Sequence, residues 1–513
     1  MTKVCWMFAS RLPKASVLPT HCRYHEAMPI SKAKRATTQG SPAATPLIIA
    51  GNLRNSEATA EVRSPYDNHV VATVCQATGS DADEALRAAE NAFAETKALP
   101  AWRRAAILEH IAHRIEHDAL DLARGIALEA GKPISASRTE VQRAVQTFRV
   151  AAEESKRISG ELLPLDWTSG NDHRAGLIRR FPIGPILGIT PFNFPLNLVA
   201  HKLAPAIASG NPIIIKPAPQ TPLTALRLGE IVVDAGWPRG AISVLPCSNE
   251  VTAGMLGDSR LRMLTFTGSA DVGWKLKAVA PRLRCTLELG GNAAMIVHED
   301  ADIELASKSI LTGGFSYSGQ SCVSVQRVFV HKTRWQTLAQ RLTEGIEQMH
   351  AGDPLDEQTQ IGPMISVAAA ERAAAWIEKA VDAGARLITG GERRGAQLSP
   401  ALLAKVPHSA ALFKEEVFAP IVFLNTYESF DEAIAAVNES RYGLQAAVFT
   451  KDWGRITQAF REIEAGAVLI NEATSWRAEH MPYGGVKDSG TGREGLRSAI
   501  ESMTEERMLV AQF

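Results

Sequence analysis

Cysteine is scarce in this chain, and its spacing is silent on both metals and disulfides. Cys5, Cys22, Cys75, Cys247, Cys285 and Cys322 are the only six in 513 residues, and they form no CxxC pair and no Cys/His ligand pattern. That excludes a disulfide framework and leaves mostly reduced thiols. The histidines make no HExxH or comparable cluster, so no metal site is expected. Neither sign of charge is in excess, with Lys plus Arg and Asp plus Glu at 55 each. A chain without a basic field has no electrostatic footprint for nucleic acid or an acidic membrane. Long hydrophobic runs are missing too. Stretches such as Ile213-Ile214-Ile215 are strand-sized and end in a charge, far short of a bilayer span. The composition, 45% hydrophobic and 21% charged, is that of an ordinary soluble protein. The length exceeds one hydrophobic core, so two or more domains are expected.

One segment departs from this balance. Residues 1–45 read as a basic extension, with Lys3, Arg11, Lys14, Arg23, Lys32, Lys34 and Arg35 against the single acid Glu26. The favoured expectation is a disordered extension, or a start placed too early with Met28 as the true first residue. Pro13 and Pro19 interrupt any amphipathic helix. An organellar transit peptide is the alternative. No secretory apolar region is present, and a cytoplasmic location is expected.

The rest reads as alternating strands and helices. Short strands are expected around Val62–Pro65 and Val70–Val74, then a helix over Ala82–Thr96 capped by Asp81. One helix is expected from Trp102 to Ala130, ending at Gly131, and another from Ser137 to Ser155. The stretch 163–182 reads as a hairpin, and the tail 496–513 as an edge strand. From Pro185 onward, short apolar strands alternate with helices, which predicts a parallel, doubly wound α/β sheet. The rhythm returns after Glu288, giving a second α/β domain.

Two motifs carry chemistry. Cys322 lies among small residues in Ser318-Gly319-Gln320-Ser321-Cys322, and Glu288 lies in Leu287-Glu288-Leu289-Gly290-Gly291. A sulfur nucleophile and a carboxylate are the parts needed to form and hydrolyse a thioester. Gly268, Ser269 and Gly273 stand at a strand-to-helix junction whose helix N-terminus suits a pyrophosphate. Around them lie Pro191-Phe192-Asn193-Phe194-Pro195, Lys216-Pro217-Ala218, Glu415-Glu416-Val417-Phe418-Ala419-Pro420 and Pro482-Tyr483-Gly484-Gly485-Val486-Lys487.

In this order the motifs resemble those of the NAD(P)-dependent aldehyde dehydrogenase superfamily, from about residue 46 onward. The nearest likeness is to its lactaldehyde and succinic-semialdehyde branch. The resemblance implies two doubly wound α/β domains plus an oligomerisation hairpin. It divides the chain into a dinucleotide-binding domain (46–162 and 183–290), a catalytic domain (291–495) and oligomerisation segments (163–182 and 496–513), assembled as a homodimer or homotetramer. It further implies Cys322 as nucleophile, Glu288 as the base for deacylation, Asn193 as oxyanion donor and Glu494, near Lys202, in a proton relay. Lys216, Gly268, Ser269, Gly273, Glu416 and Phe418 would hold NAD or NADP. Pro219 stands where NAD-selective members carry an acid, so NADP should be tolerated. Glu288 speaks against transfer of the acyl group to a thiol such as CoA, and the intact Asn193, Glu288 and Cys322 speak against a non-catalytic structural homologue. Arg138 and Arg477 are candidate anion clamps, with Glu140 and Glu479 as possible ion-pair partners. They lead to a short anionic aldehyde, succinic semialdehyde first, then lactaldehyde or phosphonoacetaldehyde-like compounds.

Overall fold

The computed structural model describes residues 44–513; the basic extension, Cys5, Cys22 and Met28 lie outside the described residues. The first sheet has eight strands in the order Asn52–Arg54, Leu47–Ile49, Ile242–Val244, Ile213–Lys216, Ile186–Ile189, Met263–Thr267, Arg284–Glu288 and Gly490–Thr491. The five from Ile242–Val244 to Arg284–Glu288 run parallel. Helices cover both faces, which is why these strands read as unbroken apolar text. Alternation still sorts the side chains. Ile213 and Ile215 join a core with Ile111, Phe148 and Val199, whereas Ile214 joins one with Leu86, Leu187 and Leu264 on the opposite face.

The second sheet has seven strands, ordered Arg386–Thr389, Ala401–Ala404, Ile421–Tyr427, Arg327–His331, Ala294–Val297, Gln445–Phe449 and Ala467–Ile470. All neighbours are parallel except the first pair. The molecule thus carries two doubly wound α/β layers.

A three-stranded antiparallel sheet completes the fold. The hairpin Glu161–Pro164 and Arg174–Pro182 pairs with Thr504–Gln512 along nine residues, from Thr504↔Pro182 to Gln512↔Arg174. The two segments expected to be separate edges therefore satisfy one another, and Leu496–Ser502 is a helix rather than strand. The boundary expected at 495 also shifts. Gly490–Thr491 pairs with Leu287–Glu288 in the first sheet, and Leu496, Ile500 and Met503 pack into its core.

Three local expectations are corrected at helix ends. The helix after the first strands spans Gly79–Ala98, with Thr78 as cap; Asp81 sits three residues in and closes a capping box by accepting the Thr78 N–H. The helix expected from Trp102 to Ala130 is two, Ala101–His117 and Ala119–Ala130, broken at Asp118. Gly131 ends the second in the left-handed region at φ 66°. The third helix begins at Ile134, directly after Pro133, and ends at Ser155 as expected.

Candidate active site

The parallel register decides where the chemistry sits. Thr267 pairs with Glu288 and Ile189 with Lys216, so these strands deliver their last residues to one carboxyl-end edge, the usual place for a ligand in an open α/β sheet. The antiparallel pairing of Glu288 with Gly490 brings the segment Tyr483–Glu494 over that edge. A cavity of about 1540 Å³ opens there, lined among others by Asn193, Glu288, Cys322, Phe418, Arg477 and Tyr483.

Cys322 is delivered by an unusual turn. Tyr317, Ser318 and Gly319 all adopt positive φ, at 50°, 55° and 67°, a conformation that costs non-glycine residues energy and persists only when neighbours hold it. They are held. The Tyr317 hydroxyl donates to the Ala130 carbonyl at 2.9 Å and the Ser318 hydroxyl to that of Gly362 at 2.6 Å. The buried Gln320 amide accepts the Ile365 N–H. The Cys322 thiol packs with Val323, Leu444 and Tyr483, 3.3 Å from the Tyr483 hydroxyl. Burial pushes it up to about 12, with the Tyr483 hydroxyl pulling the other way. The thiol is therefore protonated at neutral pH and needs a base. Gly291 admits this turn, because a side chain there would meet the Cys322 carbonyl oxygen at 2.1 Å.

Glu288 is fully buried, and neither carboxylate oxygen finds a hydrogen-bond partner among the described residues. Burial, then the nearby charge of Glu494, raise it well above the usual carboxylate range, while Arg477 and Lys202 oppose the rise. Such an unpaired, desolvated carboxyl is poised to take a proton. Glu494 behaves oppositely, because it accepts from the Lys202 ammonium at 3.2 Å, and the nearby cations hold it below the usual range against the cost of burial. Lys202 also donates to Thr265 and Thr267.

Asn193 donates its side-chain amide to the Gln320 carbonyl at 3.0 Å, two residues before the nucleophile. Its segment is fixed by Glu140. One oxygen of that carboxylate accepts the Leu196 and Asn197 N–H groups that open the helix Asn197–Ser209; the other pairs with buried Lys132. No carbonyl of the described residues accepts the Cys322 backbone N–H. The Cys322 N–H is thus unengaged, while the Asn193 amide is held against the segment that carries the nucleophile.

Residues 53–509 match the aldehyde dehydrogenase family. The chain belongs to the aldehyde dehydrogenase family. It is 41% identical to the 3-sulfolactaldehyde dehydrogenase of Priestia aryabhattai over 465 residues, 90% of this chain and 97% of that one. It is also 41% identical to aldehyde dehydrogenase 21 from Physcomitrella patens, solved with the reaction product succinate, at a TM-score of 0.90 over 92% of this chain and 99% of that one. The NADP complex of the glyceraldehyde-3-phosphate dehydrogenase GapN from Methanocaldococcus jannaschii superposes at 0.86, with 36% identity over 89% and 100%. Like its family, this protein is an NAD(P)-dependent oxidoreductase of aldehydes.

The dehydrogenase's dinucleotide end fits such a cofactor on its own geometry. Ser269 is the backbone cap of the helix Ala270–Val279, yet its hydroxyl accepts no helix N–H, so those donors remain for a phosphate. Gly268 is not in the left-handed region; it is small because a side chain would meet the Phe266 ring at 2.6 Å, and Gly273 because one would meet Leu289 at 2.3 Å. Lys216, buried at its strand end, is lowered by burial; it lies outside the cavity wall. Glu416 accepts the Gly291 N–H at 3.0 Å, and burial raises it to about 7. Phe418, at φ 52°, meets Phe192 edge-on at 5.9 Å between centroids. Pro219 is exposed just beyond Lys216.

The two candidate arginines part company. Arg477 is buried in the cavity wall, its guanidinium carbon 3.8 Å from the Tyr483 ring centroid and its Nε without a hydrogen-bond partner. Arg138 is not in the wall: it is exposed and makes a bidentate pair with Glu357, at 2.7 and 2.5 Å, rather than with Glu140. That corrects its expected place. The same helix supplies the residue that sequence reading missed. Ala136, Thr139, Glu140 and Arg143 line the cavity at the i, i+3, i+4, i+7 spacing of a single helix face. Arg138, five residues before Arg143, points about 140° away. Arg143 Nε donates to Glu479 at 2.6 Å.

Among the described residues no His, Cys, Asp and Glu group could hold a metal ion, and no helix is long and apolar enough to cross a membrane.

Proposed function

We propose that this dehydrogenase oxidises a short aldehyde bearing a terminal anion to its carboxylic acid. The observation that carries the reading is the pair of guanidiniums, Arg143 and Arg477, in the wall of the cavity that holds Cys322 and Glu288. Guanidinium binds carboxylate, phosphonate or sulfonate through paired hydrogen bonds. Arg143 takes the second arm first assigned to Arg138. The Cys322 thiolate adds to the aldehyde carbon, and the Asn193 amide and Cys322 N–H receive the oxyanion. Bound at the dinucleotide end, NAD(P) supplies the hydride acceptor. Glu288 takes the thiol proton, then that of the water that hydrolyses the thioester. Lys202 and Glu494 lead that proton outward. Lys216, Ser269 and Glu416 would hold the cofactor, Gly268 and Gly273 let the chain pack closely there, and Phe418 would pack near its nicotinamide end.

Succinic semialdehyde leads, in keeping with the succinate bound to the plant relative. A sulfonate-bearing aldehyde is the second reading, because the similarity to the sulfolactaldehyde enzyme spans nearly both chains. The test is a panel of anionic and neutral aldehydes of equal length, run with NAD and with NADP. Anionic substrates should lead in kcat/KM, and Arg477→Ala should cut that lead by about a hundredfold, or about 2.7 kcal/mol. Neutral aldehydes leading, with an order untouched by Arg477→Ala, would refute the reading. NADP should be used, since Pro219 offers no charge to repel a 2′-phosphate.

The three-stranded sheet exposes Leu162, Leu177, Met508, Leu509 and Val510. Such an apolar edge is covered by a second copy of the chain, so assembly should be at least dimeric. A clean monomer by light scattering at micromolar concentration would refute that.

A further inference from the structure

Behind the two cavity-lining guanidiniums lies a pair of buried residues that do not themselves line the cavity. Glu479, from the same loop as Arg477, accepts the Arg143 Nε–H on one oxygen at 2.6 Å. Its other oxygen lies 2.6 Å from His201 Nε2. The opposite ring nitrogen, His201 Nδ1, is 3.4 Å from an Arg477 terminal nitrogen. A guanidinium can only donate, so Nδ1 accepts and the single ring proton sits on Nε2, facing Glu479. Burial and the Arg477 charge push His201 below its usual range, in keeping with a neutral ring. The result is one directed chain: Arg143 to Glu479, His201 to Glu479, Arg477 to His201.

The chain joins three remote segments, the helices Ile134–Ser155 and Asn197–Ser209 and the loop after Ala467–Ile470. It also leaves donors unspent. Arg477 Nε is 3.9 Å from Glu479, outside hydrogen-bond reach, and has no partner. Both arms are thus braced from behind, by residues outside the cavity wall.

We propose that Glu479 and His201 form a frame that fixes the spacing and aim of Arg143 and Arg477, and so sets selectivity for anion-terminated aldehydes. Both are positioning residues, and the inference rests on the anionic-substrate reading above. A frame of this kind depends on donor and acceptor count rather than on volume. Glu479→Gln keeps the shape but turns one acceptor into a donor, which cannot satisfy Arg143 and His201 together.

The experiment compares kcat/KM for succinic semialdehyde and butanal in the wild type, Glu479→Gln and His201→Leu, with melting temperature alongside. The expected result is that the anionic-to-neutral ratio falls about tenfold or more in each variant, through KM for the anionic substrate. A merely structural role would lower both substrates together. If both soluble variants keep the wild-type ratio, the frame is overturned. Should Glu479→Gln fail to fold, His201→Leu alone decides, because it removes only the link to Arg477 and one donor to Glu479. A wild-type ratio near one would overturn the anionic-substrate reading itself, whereas a high ratio that survives the substitutions overturns only the frame.

Discussion

The two ends of the cavity are built on opposite principles. At the sulfur end, groups are buried and left mostly unpaired: both Glu288 oxygens and Asn193 Oδ1 lack partners among the described residues, and the one hydrogen-bonding neighbour of the Cys322 thiol there is the Tyr483 hydroxyl. At the arginine end, groups are buried and tied: Glu479 holds Arg143 and His201, with the Arg477 charge beside it. Their titration shows the same split. Glu288 is raised and Cys322 pushed up to about 12, whereas Glu479 is held far below the usual carboxylate range by His201 and the two arginines despite its burial. The difference is instructive. The nucleophile and its base are stripped of partners, whereas the carboxylate that must hold still is surrounded by them.

The first way to break this contrast is at the nucleophile. Cys322→Ser should lose about four orders of magnitude or more in turnover while keeping its fold and cofactor binding, seen by nucleotide titration and circular dichroism. Survival of most activity would take the chemistry away from this sulfur. A milder probe uses pH. Both Glu288 and Cys322 act only after losing a proton, and both retain it above their ordinary values, so kcat should climb with pH well beyond the usual carboxylate range. Arg477 lowers Glu288; removing it in Arg477→Ala should therefore move the rising limb to still higher pH. A limb that flattens near pH 5 in both proteins would mean that Glu288 is an ordinary carboxylate. The smallest effect belongs to Tyr483→Phe. Its hydroxyl pulls the thiol down, so its loss should slow alkylation of Cys322 by iodoacetamide only about threefold, an ordinary cost for one neutral hydrogen bond.

Much of this was legible in the sequence, because the sulfur end is written in local motifs. The apolar strands around Ile213–Lys216 and Met263–Thr267 announce a parallel sheet, and Glu288 and Cys322 stand among glycines and small residues that admit close backbone approach. The arginine end was legible only in part. Arg138 and Arg143 look alike in a string of letters; the 3.6-residue period separates them, and the stripe Ala136, Thr139, Glu140, Arg143 was the available signal. Glu479 was legible only as a neighbour of Arg477, and His201 not at all, since tertiary folding alone brings the two together. The two-residue strand Gly490–Thr491 is too short to show a pattern, yet it carries Tyr483–Glu494 over Glu288. The break at Asp118 was hidden by apolar spacing that runs on through both helices.

The most direct test of the account is a single-turnover measurement on Glu288→Gln. Mixed with succinic semialdehyde and NAD(P), the variant should release close to one NAD(P)H per active subunit in a fast phase and then stall. Mass spectrometry of the stalled protein should find the succinyl group on the peptide containing Cys322. Steady turnover at the wild-type rate, or an acyl group on any other residue, would contradict it.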